Sequence, residues 1–330
     1  MKTYYWMWRR LFFMAGVFLL AGAAADDRQV DMNNLSITEP IAGSDIPLHI
    51  LFVETVDGLY TPIGLRKPPG DGPFPMILLA SGNGGGGLKL LRHMSHDMSW
   101  TPERLLEAGY AVAWLRYRAE VELGYARQEK LLVGERQGRQ LLNRGPLEID
   151  DEIAVIEFVK TLPYIAPDRI GLLGLSHGGE MILKITSQYD GVAAAVASEP
   201  AAHEFLALTP DATAILTAGT GMRDLDSMQM RGVEKVRNRI NLDLARERIN
   251  RIKTPILVQG RDRDHLQGIF RLTYELLKES GKETAWISYD HPRHGFIYVM
   301  RKAGGNYHPD AVQVRAVNDT IAFFNRYLKP

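Results

Sequence analysis

The chain contains no cysteine in its 330 residues. Disulfides, thiolate metal sites, a cysteine nucleophile and a lipid anchor on an N-terminal cysteine are therefore excluded. Charge of one sign is also missing: 39 Lys+Arg stand against 39 Asp+Glu, a formal net charge of zero. With the basic residues scattered, there is no positive field for nucleic acid and no acidic field for cationic partners. No internal repeat and no low-complexity segment is present. The longest N-terminal apolar run, Leu11 to Leu20, is short for a membrane-spanning helix.

That run instead has the flanks of a secretory signal. Lys2, Arg9 and Arg10 precede it, and the small residues Ala21 to Ala25 follow it, just before Asp26 and Asp27. Positive end, apolar middle and small-residue cleavage site are the order of an export signal. The expectation is a signal peptide over residues 1–25, cleaved after Ala23 or Ala25. A secreted or periplasmic protein with no membrane association would remain. Arg9-Arg10 before Leu11-Phe12 leaves both general and twin-arginine export open.

Residues 26–330 alternate between strand and helix patterns. Leu48–Val53 and Leu59–Arg66 are joined at Asp57-Gly58, a strong hairpin signal. Met76–Ala80, Ala111–Leu115, Ile170–Leu175, Val192–Ala197 and Ile256–Val258 are continuous apolar runs of the kind buried on both faces of a parallel sheet. Between them fall helix patterns, including one opened by Thr101-Pro102-Glu103, with Thr101 expected as the cap. Asp150–Leu162, Gly179–Tyr189 and Leu266–Leu277 also read as helices. Thr284–Tyr289 reads as a last strand, and Val314, Val317, Ile321, Phe324 and Leu328 mark a terminal helix. The expected class is α/β: a mostly parallel sheet with helices on both faces. Only about 201–250 breaks the rhythm, with a charged helix carrying Val233, Val236, Ile240 and Leu244. One domain with an insertion fits better than two domains.

In such sheets chemistry sits at the carboxyl ends of the strands. Gly174-Leu175-Ser176-His177-Gly178 lies at one of them, between a buried strand and a helix. The tight turn there has no room for side chains two before and two after the serine, hence glycine at both places. The helix start below it favours developing negative charge. Ser176 is the expected nucleophile. A serine hydroxyl needs a base, and such an elbow takes its acid and then its histidine from later in the chain. In His291-Pro292-Arg293-His294-Gly295-Phe296, Pro292 holds His291 extended, while Gly295 lets His294 turn inward. His294 is the expected base. After Ile256–Val258 the loop reads Gly260-Arg261-Asp262-Arg263-Asp264-His265. Asp264, just before the next helix, is the chosen acid. Asp262 is the alternative, and the loser is expected to be a surface charge paired with Arg261 or Arg263.

A tetrahedral oxyanion needs two N–H groups in place. The residue after the serine, His177, offers one. The glycine-rich loop Ser81-Gly82-Asn83-Gly84-Gly85-Gly86-Gly87 offers the second, assigned to Asn83 with Gly84 next. No Lys-Ser/Thr pair follows the glycines, so this is not a phosphate loop. His93 and His96, three apart, lack a third metal ligand. No metal and no cofactor is expected.

Arg169-Ile170-Gly171 leading into Gly174-Leu175-Ser176-His177-Gly178-Gly179, with His294-Gly295-Phe296 later, resembles the dienelactone hydrolase and prolyl oligopeptidase branch of the α/β-hydrolases. The likeness runs from about Leu59 to the C-terminus and implies that fold, with the insertion at 201–250 as a cap or lid. Met222, Met228 and Met230 would then line an acyl pocket or fill the core. The sequence departs from the family in three ways. Serine stands where dienelactone hydrolases carry cysteine. No propeller domain is present. Arg263 occupies the place where such families often put the aspartate. The expected function is an exported serine hydrolase of carboxylic esters, with a small-molecule ester as its partner. A peptidase or amidase with the same machinery comes second, and a non-catalytic binding protein third.

Overall fold

The computed structural model describes residues 36–56, 58, 60–82, 87–116, 146–209, 215–216, 223–302 and 305–329. The expected signal segment, Asn83, Gly84 and Met222 lie outside the described residues.

The expected strands form near where the pattern places them. The strands are β1 (Ser36–Glu39), β2 (Leu48–Glu54), β3 (Tyr60–Arg66), β4 (Phe74–Ala80), β5 (Ala111–Trp114), β6 (Ile165–Leu175), β7 (Ala194–Ser198), β10 (Ile256–Arg261) and β11 (Thr284–Tyr289), with the short pair β8 (Ile215–Leu216) and β9 (Arg223–Asp224) apart. Of these, β1, β8 and β9 are additions that the sequence pattern does not foresee. The nine strands form one sheet in the order β1-β2-β3-β5-β4-β6-β7-β10-β11. β1, β2 and β3 pair antiparallel, as does β3 with β5. From β5 through β4, β6, β7 and β10 to β11 all pairs are parallel. The expected hairpin is β2–β3, with Leu51 opposite Ile63, and Gly58 at its turn takes φ 78°.

Helices cover both faces: α1 (Gly87–Asp97), α2 (Trp100–Glu107), α3 (Pro146–Lys160), α4 (His177–Thr186), α5 (Val233–Arg237), α6 (Leu242–Arg251), α7 (Gln267–Glu279) and α8 (Ala311–Leu328). Alternate residues of a strand serve opposite faces, and β4 shows it. Met76, Leu78 and Ala80 join one core, with α3, α4 and α7. Ile77 and Leu79 join the other, with α1, α2 and α8. Covering both sides makes the central strands apolar throughout rather than alternating.

Two local expectations are corrected. α2 begins at Trp100 with Ser99 before it; Thr101 is buried, and its hydroxyl donates to the Ile297 carbonyl instead of capping. The charged stripe at 233–250 is two helices, not one. Ile240 bridges to Leu208, and Asn241 caps α6 by accepting from the Leu244 amide at 3.1 Å. Val236, Ala245 and Ile249 are the buried residues of that pair. No described helix is long and apolar enough to cross a membrane.

Candidate active site

Ser176 stands at the carboxyl end of β6, which lies between β4 and β7, and α4 begins at the next residue. Its φ of 55° and ψ of −114° are forced by the turn; a non-glycine residue at positive φ is uncommon and strained. The flanking glycines explain how the turn closes. A Cβ on Gly174 would lie 2.2 Å from the Gly178 carbonyl oxygen, and one on Gly178 would lie 2.1 Å from that of Ala80. The Ser176 amide donates to the Ser198 carbonyl at 2.9 Å, fixing the elbow to β7. The His177 N–H is the first of α4, and the first turn of a helix directs its N–H groups outward.

His294 comes from the loop after β11. Gly295, at φ 73°, turns that loop inward, close to Leu175. His294 Nδ1 meets Asp264 Oδ2 at 3.0 Å. Asp264 follows β10, is fully buried, and accepts the Leu266 amide at 2.8 Å where α7 starts. Asp262 is exposed and accepts from the Ser288 hydroxyl, away from the histidine. The ion pairing expected around it is corrected: Arg263 pairs with Asp290 at 2.7 Å, while Arg261 turns inward. His291 is buried, stacks on Phe296 and contacts Asp310 at 3.1 Å, a structural role.

The structure adds a residue that the sequence pattern did not single out. Glu199, immediately after β7, is fully buried and places Oε1 3.3 Å from His294 Nδ1. Arg261 joins the two acids: its Nε–H points to Glu199 Oε1 at 2.9 Å and to Asp264 Oδ2 at 3.0 Å. The available signal was positional, a carboxylate at the carboxyl end of a buried parallel strand.

Burial works against ionised His294, but hydrogen bonds to Asp264 and Glu199 outweigh it and push its pKa up to about 10. Burial likewise opposes ionised Asp264, yet hydrogen bonds from His265, His294 and the Leu266 amide hold it far below the usual carboxylate range. Glu199, Asp264 and His294 also form a cluster with metal-ligand chemistry, their ligand atoms within 4.8 Å of one another. Arg261 already lays a fixed cation on both acids, so a metal ion there would face its full charge. His93 and His96 turn to different carboxylates, Asp97 at 2.7 Å and Glu39 at 3.1 Å, and share no site.

Ser176 and His294 open on one cleft of about 520 Å³. Its walls are largely apolar: Met94, Met98, Trp114, Leu266, Tyr298 and Met300 line it. Gly82 lies against the serine, where a Cβ would stand 3.5 Å from the Ser176 Cβ. From the segment between β7 and β10 Asp226 reaches the cleft, and its carbonyl meets His265 Nε2 at 2.7 Å. Met228 and Met230 are core residues, fully buried. The methionines at the cleft are others, carried by α1 and the two loops nearby.

Below the elbow, Glu180 braces the chain that follows β7. Its Oε1 accepts the amides of Glu204 at 2.7 Å and Phe205 at 2.9 Å, and Lys184 lies 3.5 Å from Oε2. Burial alone would raise its pKa, but Lys184 and His177 bring it down to about 2. Its stabilising effect is therefore full above the ordinary value of 4.5 and is lost as pH falls from there toward 2. Glu180→Ala should cost about 1–3 kcal/mol in urea unfolding at pH 7, by stranding the two amides and Lys184. The difference from the parent should shrink at pH 3.

A mostly parallel sheet with a serine held at a glycine-flanked strand-to-helix turn defines an α/β-hydrolase. Residues 86–328 match the model of the dienelactone hydrolase family, and the chain belongs to that family. The acylaminoacyl peptidase of Pyrococcus horikoshii is similar in structure, with TM-score 0.58 and 19% identity, over 87% of this chain and 42% of that one. Porphyromonas gingivalis dipeptidyl peptidase 4 matches with TM-score 0.56 and 19% identity, over 86% and 36%. The chain thus spans less than half the length of either peptidase. The esterase of Pyrobaculum calidifontis matches with TM-score 0.55 and 17% identity, over 87% of both chains. Fold and family are those of hydrolases.

Proposed function

We propose that the protein is an exported serine hydrolase acting on carboxylic esters with a sizeable apolar group. The observation that carries this is the meeting of a strained elbow serine and a histidine on one apolar cleft, the histidine bonded at 3.0 Å to a buried aspartate. Ser176 attacks the ester carbonyl while His294 Nε2 takes its proton. Asp264 holds Nδ1–H and stabilises the imidazolium. The carbonyl oxygen, now an oxyanion, receives the His177 N–H and a second N–H from the glycine loop, assigned to Asn83 with Gly84 next. The imidazolium then protonates the leaving alcohol. Water, deprotonated by His294, attacks the acyl-enzyme and frees the acid.

Ester and anilide versions of one arylalkanoyl group should separate this reading from its rival. We expect the ester to be cleaved much faster; an anilide cleaved as fast would make the protein a peptidase or amidase. Only neutral His294 accepts a proton, and its pKa lies above the ordinary 6.5. The kcat/KM profile should therefore still be rising above pH 7, with its acid limb on the alkaline side of that value.

Export is part of the proposal and rests on residues 1–25. Mass analysis of the protein recovered from the cell envelope or medium should give an N-terminus after Ala23 or Ala25. Full-length protein confined to the cytosol would remove this part and leave the chemistry untouched. The insertion at 201–250, which brings Asp226 to the cleft, is proposed as a cap.

A further inference from the structure

We infer that Glu199 is a second carboxylate partner of the base, positioning His294 together with Asp264 so that the two acids, bridged by Arg261, act on the imidazole as one unit. The inference rests on the serine-hydrolase reading above.

Glu199 holds the histidine loop at two points. Its Oε1 lies 3.3 Å from His294 Nδ1, and its Oε2 accepts the Gly295 amide at 2.7 Å. Its own backbone takes φ 47°, a conformation that disfavours any residue with a side chain. The Glu199 amide donates to the Gln259 carbonyl at 2.7 Å and holds that conformation. The neighbouring Ser198 carbonyl accepts the Ser176 amide. One strand end therefore touches both the nucleophile's turn and the base's loop.

Charge explains why a second acid is needed. In most triads one aspartate faces the histidine and offsets the positive charge that forms on it. Here Arg261 is bonded to Asp264 through Nε and a terminal nitrogen, and its other terminal nitrogen donates to the carbonyls of His291 at 3.2 Å and Pro292 at 3.0 Å. Asp264 and Arg261 alone would sum to zero, and an imidazolium beside that buried pair would have no net negative charge to offset it. Glu199 restores one negative charge. The group is then net −1 with neutral His294 and zero with the imidazolium, so it stabilises the form that arises during attack. His265, whose Nδ1 lies 3.2 Å from Asp264 Oδ1, adds positive charge when protonated and opposes the two acids. Of the remaining charged groups at the cleft, Arg293 directs a terminal nitrogen to the Tyr298 carbonyl at 2.8 Å, and Asp226 comes from the insertion.

The test uses the full-length protein and the rate at which an alkyl fluorophosphonate labels Ser176 across pH, beside kcat and KM on an aryl ester. Glu199→Gln removes the charge and keeps one acceptor oxygen, which can serve Gly295 or Arg261 but not both. We expect kcat and the labelling rate to fall about 10–100-fold with KM unchanged, and the acid limb to move to lower pH by about one unit or more. Glu199→Asp, which retains the charge, should keep the limb near its parent position. Asp264→Asn should lose less than the ~10⁴-fold seen when a lone triad aspartate is amidated, because Glu199 still accepts Nδ1–H. The double variant Asp264→Asn with Glu199→Gln should fall to the level of His294→Ala. An unmoved limb and intact kcat in Glu199→Gln would make Glu199 a partner of Arg261 alone. If Glu199→Gln does not fold, Asp264→Asn decides: labelling no faster than in His294→Ala overturns the inference. Absence of Ser176 labelling in the parent protein removes the triad and this inference together. Labelling of the parent with an unmoved limb removes only the inference.

Discussion

Ser176→Ala is expected to lower kcat for ester hydrolysis by about 10⁶-fold while leaving KM and the unfolding midpoint near their parent values. The hydroxyl is the group that bonds to substrate carbon, and alanine offers no nucleophile in its place. The fold has little reason to change. The φ of 55° is imposed by the backbone, and alanine meets the same strain as serine. His294→Ala should cost about as much, since an unactivated hydroxyl is a poor nucleophile. The double variant should be no worse than either single one, because groups that act as one unit do not contribute additively. Steady-state kinetics on an aryl ester, with circular dichroism as the folding control, check all three. Losses that multiply in the double variant would mean that serine and histidine do not act in one step.

Arg261→Met should have the largest effect on stability, about 3–5 kcal/mol. The guanidinium lies between two fully buried carboxylates and two loop carbonyls. Removing it leaves Glu199 and Asp264 as like charges out of contact with water, and the loop that carries His294 loses its anchor. Breaking a buried ion pair is far more costly than removing both partners. For a chain of this size, each kcal/mol lowers the unfolding midpoint by about 1.5 °C. Adding Glu199→Gln to Arg261→Met should recover part of the loss by removing one stranded charge. A midpoint within a degree of the parent would contradict the buried charge cluster described here.

Much of the fold was legible because its signals are local. Strands such as Met76–Ala80 carry unbroken apolar runs whether or not their neighbours are known, and the β2–β3 hairpin is marked by its own turn. The elbow was legible for the same reason, since steric closure around Ser176 dictates glycine within two residues on either side. Features set by contact between distant segments were hidden. Thr101 has the chemistry of a helix cap, but it faces Ile297 nearly two hundred residues away. The stripe Val233, Val236, Ile240, Leu244 has helical spacing, yet the bridge from Ile240 to Leu208 splits it. Asp264 could be chosen over Asp262 by its place before α7. Glu199 carried only the positional signal of a strand end, because its role depends on a histidine 95 residues later turning back across the strand ends. The cleft methionines Met94, Met98 and Met300 come from two separate regions, and neither announces a pocket by itself.

Intact-mass and peptide mass spectrometry after incubation with an alkyl fluorophosphonate test the central claim most directly. The account predicts one adduct per chain, located on Ser176 and absent from both Ser176→Ala and His294→Ala. A folded protein that takes no label, or takes it at a residue other than Ser176, would contradict the account.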